Sequence, residues 1–166
     1  TLDESALQEE LRQKGRDNMD PVEYTKILAK EKARALVESL SNESKKPTLV
    51  VGSDTIVDWN DHILEKPSSR EEAKTMLTQL SGNSHFVHTG VAIYEVTKNG
   101  SNLVSSFVDT ATVSFAALAE EDIDAYIATG EPMDKAGSYG IQGAGGQFVR
   151  EVQGDFFTVS TSKKFV

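Results

Sequence analysis

Cysteine is absent from the 166 residues of this sequence. Its absence excludes disulfide bonds, thiolate zinc sites and a cysteine nucleophile, and it fits a reducing compartment. No apolar run approaches the roughly 20 residues of a membrane-spanning helix, and the first residues lack the basic and then apolar pattern of a signal peptide. We therefore expect a cytoplasmic protein without a membrane partner.

Basic residues are scarce relative to acidic ones, with 17 against 26 and a formal net charge of -9. This balance argues against a nucleic-acid partner bound over a large surface, although it leaves room for a local basic pocket. The G-x-S-x-G motif is also absent, and no serine has a histidine and an acid arranged around it, so acyl transfer has no support. A polyanionic substrate would need lysines gathered in one place, or a metal.

The start of the sequence predicts helices. Asp20 fits the N-cap position and Pro21 the first position of a helix that continues to about Leu40. From helical spacing alone, the lysines of this helix, Lys32 among them, fall mostly on a solvated face. A short helix is expected over residues 6–11, and a strand that would precede it is missing.

Further along, helical and strand patterns follow one another without a strict βαβ alternation. A capping-box pattern begins a helix at residues 68–80, and another helix is predicted over 119–129. The predicted strands after the first hairpin cover residues 84–96, 103–115, 148–152 and 156–159. We predict an α/β fold in one domain, residues 1–166, with a mixed sheet of long strands, flanking helices and two lobes around a cleft.

The stretch from Val50 to Pro67 places an acid and a base on a predicted hairpin. Asp54 follows an apolar strand, where burying a carboxylate is costly unless it binds something. A three-residue loop at residues 60–62 would leave Asp54 diagonal to Lys66 on one face, whereas a two-residue loop would separate them onto opposite faces. Taken alone, a surface ion pair and a catalytic pair explain these residues equally well.

Glycines crowd the segment from Glu131 to Phe148, and Gln142 is the long polar side chain at its centre. Glycine-rich loops offer backbone N–H groups to phosphates, but this spacing matches neither the P-loop nor the dinucleotide-binding motif. The alternative is a folded loop that needs several positive φ angles. Gln142 could orient a water or a metal ligand, and Lys135 could reach an anion.

His85 and His88 are spaced like a metal-binding pair, but positions three apart on a strand face opposite sides of the sheet. We therefore assign both histidines to packing or hydrogen bonding. Trp59, at the predicted hairpin tip, is expected to pack or to contact a partner.

Five motifs follow one another along the chain: Gly52-Ser53-Asp54-Thr55, Ile63-Leu64-Glu65-Lys66-Pro67, Leu80-Ser81-Gly82, His88-Thr89-Gly90-Val91 and the run from Glu131 to Gly143. In this order they resemble the motifs of the Maf family of house-cleaning nucleoside triphosphate pyrophosphatases. Lys32-Ala33 and Asp3-Glu4-Ser5 also resemble the family pattern. The resemblance covers most of the chain and implies an ITPase-like fold.

The resemblance implies hydrolysis of a nucleoside triphosphate to a monophosphate and pyrophosphate with a divalent cation, Mg²⁺ or Mn²⁺. It implies that Asp54, Lys66 and Gln142 are catalytic, with Asp54 as the general base or metal-orienting acid. Gln142 would position water, metal or base, and Glu4 would join Asp54 at the metal. The residues implied to bind substrate are Lys32, Thr55, Lys135 and Gly143.

Within the family, Asp54-Thr55 and Ile141-Gln142-Gly143 resemble the branch that acts on dTTP and UTP, with CTP and modified pyrimidines as further substrates, rather than the 7-methyl-GTP branch. A homodimer is also implied. The family's N-terminal strand with Ser-x-Ser-x-Arg-Arg would come before Thr1, so we expect a Maf-like domain without that strand and motif. Residues 160–166 depart from the Gly-Leu-Pro continuation of the family.

Two other interpretations remain open. One is a noncatalytic nucleotide-binding or regulatory module linked to cell division, which would bind nucleotide without forming product. The other is a structural interaction domain, in which the glycine-rich loop binds nothing and no ligand stabilises the fold.

Overall fold

The computed structural model describes residues 19–40 and 47–160. The helices are α1 (Pro21–Leu40), α2 (Arg70–Leu80), α3 (Glu120–Ala128) and the short α4 (Phe156–Val159), and the strands are β1 (Thr48–Trp59), β2 (His62–Leu64), β3 (Ser84–Thr97), β4 (Gly100–Phe115) and β5 (Val149–Gln153). Short 3₁₀ turns at Glu131–Asp134, Ala136–Ser138 and Ala144–Phe148 occupy the glycine-rich segment. The predicted α/β class, with long strands and flanking helices, is confirmed.

The described strands form a five-stranded sheet in the order β2-β1-β3-β4-β5. β1 pairs with β2 and β4 pairs with β5, both in antiparallel orientation. Residues 98 and 99 alone connect β3 to its neighbour β4, so these two long strands form a hairpin. The long hairpin predicted over residues 84–96 and 103–115 is confirmed, and both strands extend beyond the predicted ends. The predicted mixed sheet is not confirmed, because the strand pairs described here are antiparallel.

Capping residues determine where two helices begin. Asp20 Oδ1 accepts a hydrogen bond from Glu23 N at 3.0 Å, so α1 starts where predicted. Ser69 Oγ accepts one from Glu72 N at 3.1 Å and caps α2. The Glu72 carboxylate in turn accepts hydrogen bonds from the N–H and hydroxyl groups of Ser68. These reciprocal contacts resemble a capping box whose second contact is displaced by one residue.

The chain divides into two compact units. The first comprises the described residues 19–40, 47–54 and 89–109, and the second comprises 55–88 and 110–160. Each unit has its own cluster of buried apolar side chains. The predicted cleft stays a prediction.

The core of the first unit lies between α1 and the strands β1 and β3. Its members are Ala29, Ala33, Val37, Val50, Ala92 and Val96. A Cβ atom on Gly52 would lie 2.5 Å from both Ala29 O and Ala33 N, and one on Gly90 would lie 2.6 Å from Thr25 O. These two strand positions require glycine because the backbone of α1 occupies the space that a side chain would take.

The core of the second unit is larger and contains several aromatic rings. Its members are Val57, Leu64, Ala73, Met76, Leu77, Leu80, Val87, Val113, Phe115, Ile123, Tyr126, Ile127, Tyr139 and Phe148. Phe115 meets Tyr139 edge to face at 4.8 Å, and Tyr126 meets Phe148 in the same way at 5.0 Å. Trp59 packs against this core, which confirms its predicted packing role.

One predicted strand is wrong. Residues 156–159 form a helical turn, because Asp155 Oδ1 accepts a hydrogen bond from Phe157 N at 2.9 Å and caps that turn.

The helix predicted over residues 6–11 lies outside the described residues. Within 19–40 and 47–160, no helix combines the length and the apolar character that crossing a membrane requires.

Candidate active site

Lys32 and Asp54 form an ion pair within the first unit. Lys32 Nζ lies 2.5 Å from Asp54 Oδ1, and the two side chains are 23% and 16% exposed. Strand residues two apart face the same side, so Asp54 projects from β1 on the side where Gly52 meets α1. The close contact at Gly52 brings the helix near enough for the Lys32 side chain to reach the carboxylate.

This ion pair corrects the assignment of Lys32 to a solvated face. Helical spacing alone did not predict it, because the burial of Lys32 depends on how closely α1 approaches β1. An ammonium group beside a carboxylate favours the ionised form of both groups. An ionised carboxylate can accept a proton or bind a cation, and an ammonium can bind a phosphate, so the pair suits phosphate chemistry.

The β1–β2 hairpin turns through two residues, Asn60 and Asp61, whose φ angles are 52° and 63°. Positive φ at both central residues is typical of a type I′ turn. The three-residue loop is therefore wrong, and so is the diagonal placement of Asp54 and Lys66 that depended on it. β2 ends at Leu64, so strand pairing does not position Lys66.

Lys66 belongs to the second unit, where the chain beside it contacts the glycine-rich segment. The carbonyl of Glu65 accepts a hydrogen bond from Gly137 N at 3.2 Å. Gly137 has a φ of 65°, and a Cβ atom there would lie 2.7 Å from a valine side chain of β1. The residue next to the exposed Lys66 is therefore hydrogen-bonded to the segment that carries Lys135 and Gln142.

The carboxylate of Glu131 lies at the centre of the glycine-rich segment. Its Oε2 atom accepts a hydrogen bond from Ala144 N at 3.0 Å. Its Oε1 atom accepts one from Gly145 N at 3.2 Å and one from the Tyr126 hydroxyl at 2.9 Å. The Tyr126 hydroxyl accepts a hydrogen bond from Gly140 N at 3.2 Å. Three N–H groups that a glycine-rich loop could offer to phosphate are therefore bound by side chains of the protein itself.

Lack of space explains two of these glycines. A Cβ atom on Gly143 would lie 2.3 Å from Glu131 Oε1, and one on Gly145 would lie 2.5 Å from the Tyr126 hydroxyl. Positive φ is not the cause, since the φ of Gly143 is -113°. Among the glycines from 131 to 148, the expectation of positive φ is confirmed at Gly137 alone.

Hydrogen bonds and burial set the protonation states of Glu131 and Tyr126. Burial raises the pKa of Glu131, but the hydrogen bonds from Ala144 N, Gly145 N and the Tyr126 hydroxyl outweigh it, so the pKa lies below its ordinary value. Burial, together with the neighbouring carboxylate, raises the pKa of the Tyr126 hydroxyl above its ordinary value. At neutral pH, Glu131 is therefore ionised and Tyr126 is neutral, as their hydrogen bonds require.

The other predicted site residues occupy varied positions. Gln142 and Gly143 are exposed, Thr55 is half-buried on β1, and Lys135 Nζ contacts the carboxylate of the adjacent aspartate. Glu4 lies outside the described residues. Within the part of the chain that the structure describes, no group of three or more His, Cys, Asp or Glu side chains could hold a metal ion.

Both central histidines are buried and hydrogen-bonded, which confirms their assignment. His85 Nε2 lies 2.8 Å from the Tyr139 hydroxyl. His88 Nδ1 lies 2.8 Å from Thr110 Oγ1, and its Nε2 lies 3.4 Å from Asp58 Oδ2. Burial lowers the pKa of His85 to about 4. Asp58 is a further buried acid, which no sequence pattern indicated.

Glu131 and Tyr126 were not predicted as functional residues. An acid immediately before a segment rich in backbone donors is a signal that could have indicated Glu131. For Tyr126 the sequence shows only an inward-facing position on α3, which does not reveal the contact of its hydroxyl with Gly140.

A family model described as Maf-like protein matches residues 1–160 of the chain. The dTTP/UTP pyrophosphatase of Geobacillus sp. (strain WCH70) is 46% identical over 143 residues, which cover 86% of this chain and 72% of that protein. The dTTP/UTP pyrophosphatase of Bacillus mycoides (strain KBAB4) is 47% identical over 139 residues, which cover 84% and 68%. The protein of that name from Bacillus anthracis is also 47% identical over 139 residues, with the same coverage.

Proposed function

The chain belongs to the Maf family, and from this premise we propose that it hydrolyses dTTP, UTP and related pyrimidine nucleoside triphosphates to a monophosphate and pyrophosphate. Relatives named dTTP/UTP pyrophosphatase, at 46% to 47% identity, support this substrate class. The observation that carries the proposal is the ion pair of Lys32 with Asp54. In this pair, Asp54 is the acid that the family resemblance implies to be the general base, and Lys32 is a cation that can bind phosphate.

The proposed reaction is attack of water on the α-phosphorus, in which the bond to the leaving pyrophosphate breaks as the new bond to oxygen forms. Asp54 accepts the proton that the water loses. Lys32 stabilises the carboxylate of Asp54 before the attack and negative charge on the phosphates during it. Lys66 and Lys135 offset charge on the pyrophosphate, and Gln142 orients the water.

A divalent cation, Mg²⁺ or Mn²⁺, is part of the proposal. Mg²⁺ is commonly held by one or two carboxylates together with substrate phosphates, so a cluster of three protein ligands is not required. Asp54 offers one carboxylate at the surface of the first unit, where its side chain is 16% exposed. Glu4 is proposed as the second. When bound, the cation neutralises charge that develops on the phosphate oxygens.

Recognition of the nucleotide is proposed to involve Thr55 and the exposed loop tip at Gln142 and Gly143. We expect a higher kcat/KM for dTTP and UTP than for 7-methyl-GTP. The ratio of these kcat/KM values measures how well the protein discriminates between the nucleotides. A homodimer and a cytoplasmic location are further parts of the proposal. Light scattering of the purified protein tests the first, and cell fractionation tests the second.

The test of the proposal is product analysis. Full-length protein is incubated with dTTP, UTP, CTP or 7-methyl-GTP, each with Mg²⁺, Mn²⁺ or EDTA, and the products are separated by ion-exchange chromatography. We expect equal amounts of monophosphate and pyrophosphate from dTTP and UTP, and none with EDTA. A diphosphate with inorganic phosphate would contradict the cleavage site. Nucleotide binding in calorimetry without any product would instead support the noncatalytic module.

A further inference from the structure

We propose that Glu131 and Tyr126 are positioning residues that fix the loop carrying Gln142 and thereby set the rate of hydrolysis. We call these two side chains the loop clamp. The effect on rate rests on the proposed function, whereas the hold on the loop does not. Both residues act through the loop backbone rather than by touching the nucleotide.

The loop clamp holds the chain on both sides of Gln142. The Tyr126 hydroxyl accepts a hydrogen bond from Gly140 N, two residues before Gln142. The Glu131 carboxylate accepts one from Ala144 N, two residues after it. Because the backbone is fixed on either side, few conformations remain for the residue between, and its side chain leaves the loop from a defined position.

The core of the second unit holds the loop clamp in place. Tyr126 is 5% exposed, and its ring meets Phe148 edge to face at 5.0 Å. Glu131 N donates a hydrogen bond to Thr129 Oγ1 at 3.1 Å, at the C-terminal end of α3. The core therefore holds both residues in place. Their hydrogen bonds fix the position of the loop relative to the core.

Contact between the loop and the carboxylate is close. A Cβ atom on Gly143 would lie 2.3 Å from one carboxylate oxygen of Glu131 and 2.6 Å from the other. The loop can therefore fold over this carboxylate only without a side chain at that position. Because the carboxylate already binds the N–H groups of Ala144 and Gly145, the proposed phosphate contacts must come from lysine side chains and not from these two amides.

Two substitutions loosen the clamp without removing bulk. Tyr126→Phe keeps the ring but removes the hydroxyl, which leaves Gly140 N without this acceptor. Glu131→Gln replaces one carboxylate oxygen by an NH₂ group, which cannot accept a hydrogen bond from a backbone amide. Glu131→Asp keeps the charge but shortens the side chain, so it should retain part of the function.

Matched controls separate positioning from general stability. Tyr139→Phe also removes a buried hydroxyl from the same core, but that hydroxyl contacts His85 and not the loop. Glu121→Gln removes the charge of an exposed acid in the first turn of α3. Neither control changes a group that contacts the backbone of residues 140–145 in the described structure.

The experiment combines steady-state kinetics on dTTP with amide hydrogen exchange of the full-length protein. In Tyr126→Phe and Glu131→Gln we expect kcat to fall by about ten- to hundredfold, because small displacements of a catalytic group are costly, with a smaller change in KM. Glu131→Asp should fall between Glu131→Gln and the wild type. The amides of Gly140, Ala144 and Gly145 should exchange faster in the clamp variants than in either control.

Unchanged kcat in both clamp variants would overturn the proposal, as would exchange at the loop amides no faster than in the controls. An equal loss of kcat in Tyr139→Phe would also overturn it, because the effect would then be one of core stability. If the wild-type protein hydrolyses no nucleotide, the proposed function and the rate effect both fail. Hydrogen exchange would still decide whether Glu131 and Tyr126 hold the loop.

Discussion

Lys32 Nζ lies 2.5 Å from Asp54 Oδ1, although the two residues are 22 apart in the sequence. They meet because Gly52 lets the backbone of α1 lie directly against β1. The pair places a proton acceptor beside a cation, a combination that hydrolysis of a phosphate anhydride requires. Substitutions at each of these three residues have separate expected outcomes.

Lys32→Met is expected to lower kcat/KM for dTTP by about tenfold or more, because it removes a positive charge that stabilises the reacting phosphates. The free energy of unfolding should also fall, by about 1 to 3 kcal/mol, because the largely buried Asp54 carboxylate loses its charged partner. Steady-state kinetics and urea unfolding measure the two effects. Lys30→Met, a half-buried lysine on the same helix, is the control. Similar kinetics for both variants would contradict a role for Lys32 in catalysis.

Gly52→Ala is expected to destabilise the protein by about 3 kcal/mol, at the upper end for overpacking. The added methyl group would lie 2.5 Å from two backbone atoms of α1, which cannot rotate away as a side chain can. Chemical denaturation measures the loss. Gly130→Ala is the control, because its methyl group meets nothing within 4 Å and only the φ of 77° opposes it, at about 1 kcal/mol. An equal or smaller loss at Gly52 would contradict the close helix contact.

His85 is expected to make folding stability depend on pH. Burial lowers its pKa to about 4 in the folded protein, against about 6.5 in the unfolded chain. The unfolded state therefore binds a proton more readily. The contribution of neutral His85 is fully present above about pH 6.5 and is lost as the pH falls towards about 4.

His85→Phe removes this titration. Between about pH 7 and about pH 4.5, the variant should lose about 2 kcal/mol less of its free energy of unfolding than the wild type. The Tyr139 hydroxyl loses its partner in the variant, but that cost is the same at both pH values and cancels in the difference. Urea unfolding at the two pH values tests this, and equal losses in both proteins would show that His85 does not titrate as its burial requires.

Local side-chain chemistry predicted several boundaries of the fold. Asp20 and Ser69 cap α1 and α2 where the sequence indicated, because a cap contacts only residues two or three positions away. The same local rule could have corrected the strand predicted over residues 156–159. Asp155 caps that turn, and the cap prevails over the alternation of apolar residues that predicts a strand.

Contacts between distant residues could not be predicted in the same way. The hairpin loop was ambiguous, and the structure shows that Asn60 and Asp61 both adopt positive φ, which fixes the shorter loop. Glu131 contacts Ala144, which is 13 residues away in the sequence. No local sequence pattern predicts such a contact, or the need for glycine at position 143 beside the carboxylate. The partner of Asp54 was missed for the same reason, since it comes from a helix earlier in the chain.

The central claim is that Asp54 accepts the proton from the attacking water. The most direct test is the rate of pyrophosphate release from dTTP by the wild-type protein and by Asp54→Asn, with urea unfolding to show that both are folded. Asparagine keeps the size of the side chain and an oxygen that can still coordinate a cation, but it cannot act as the base. We predict that the wild type releases pyrophosphate and that Asp54→Asn does so at least about a hundredfold more slowly, as loss of a general base requires. Equal rates from two folded proteins would contradict the claim.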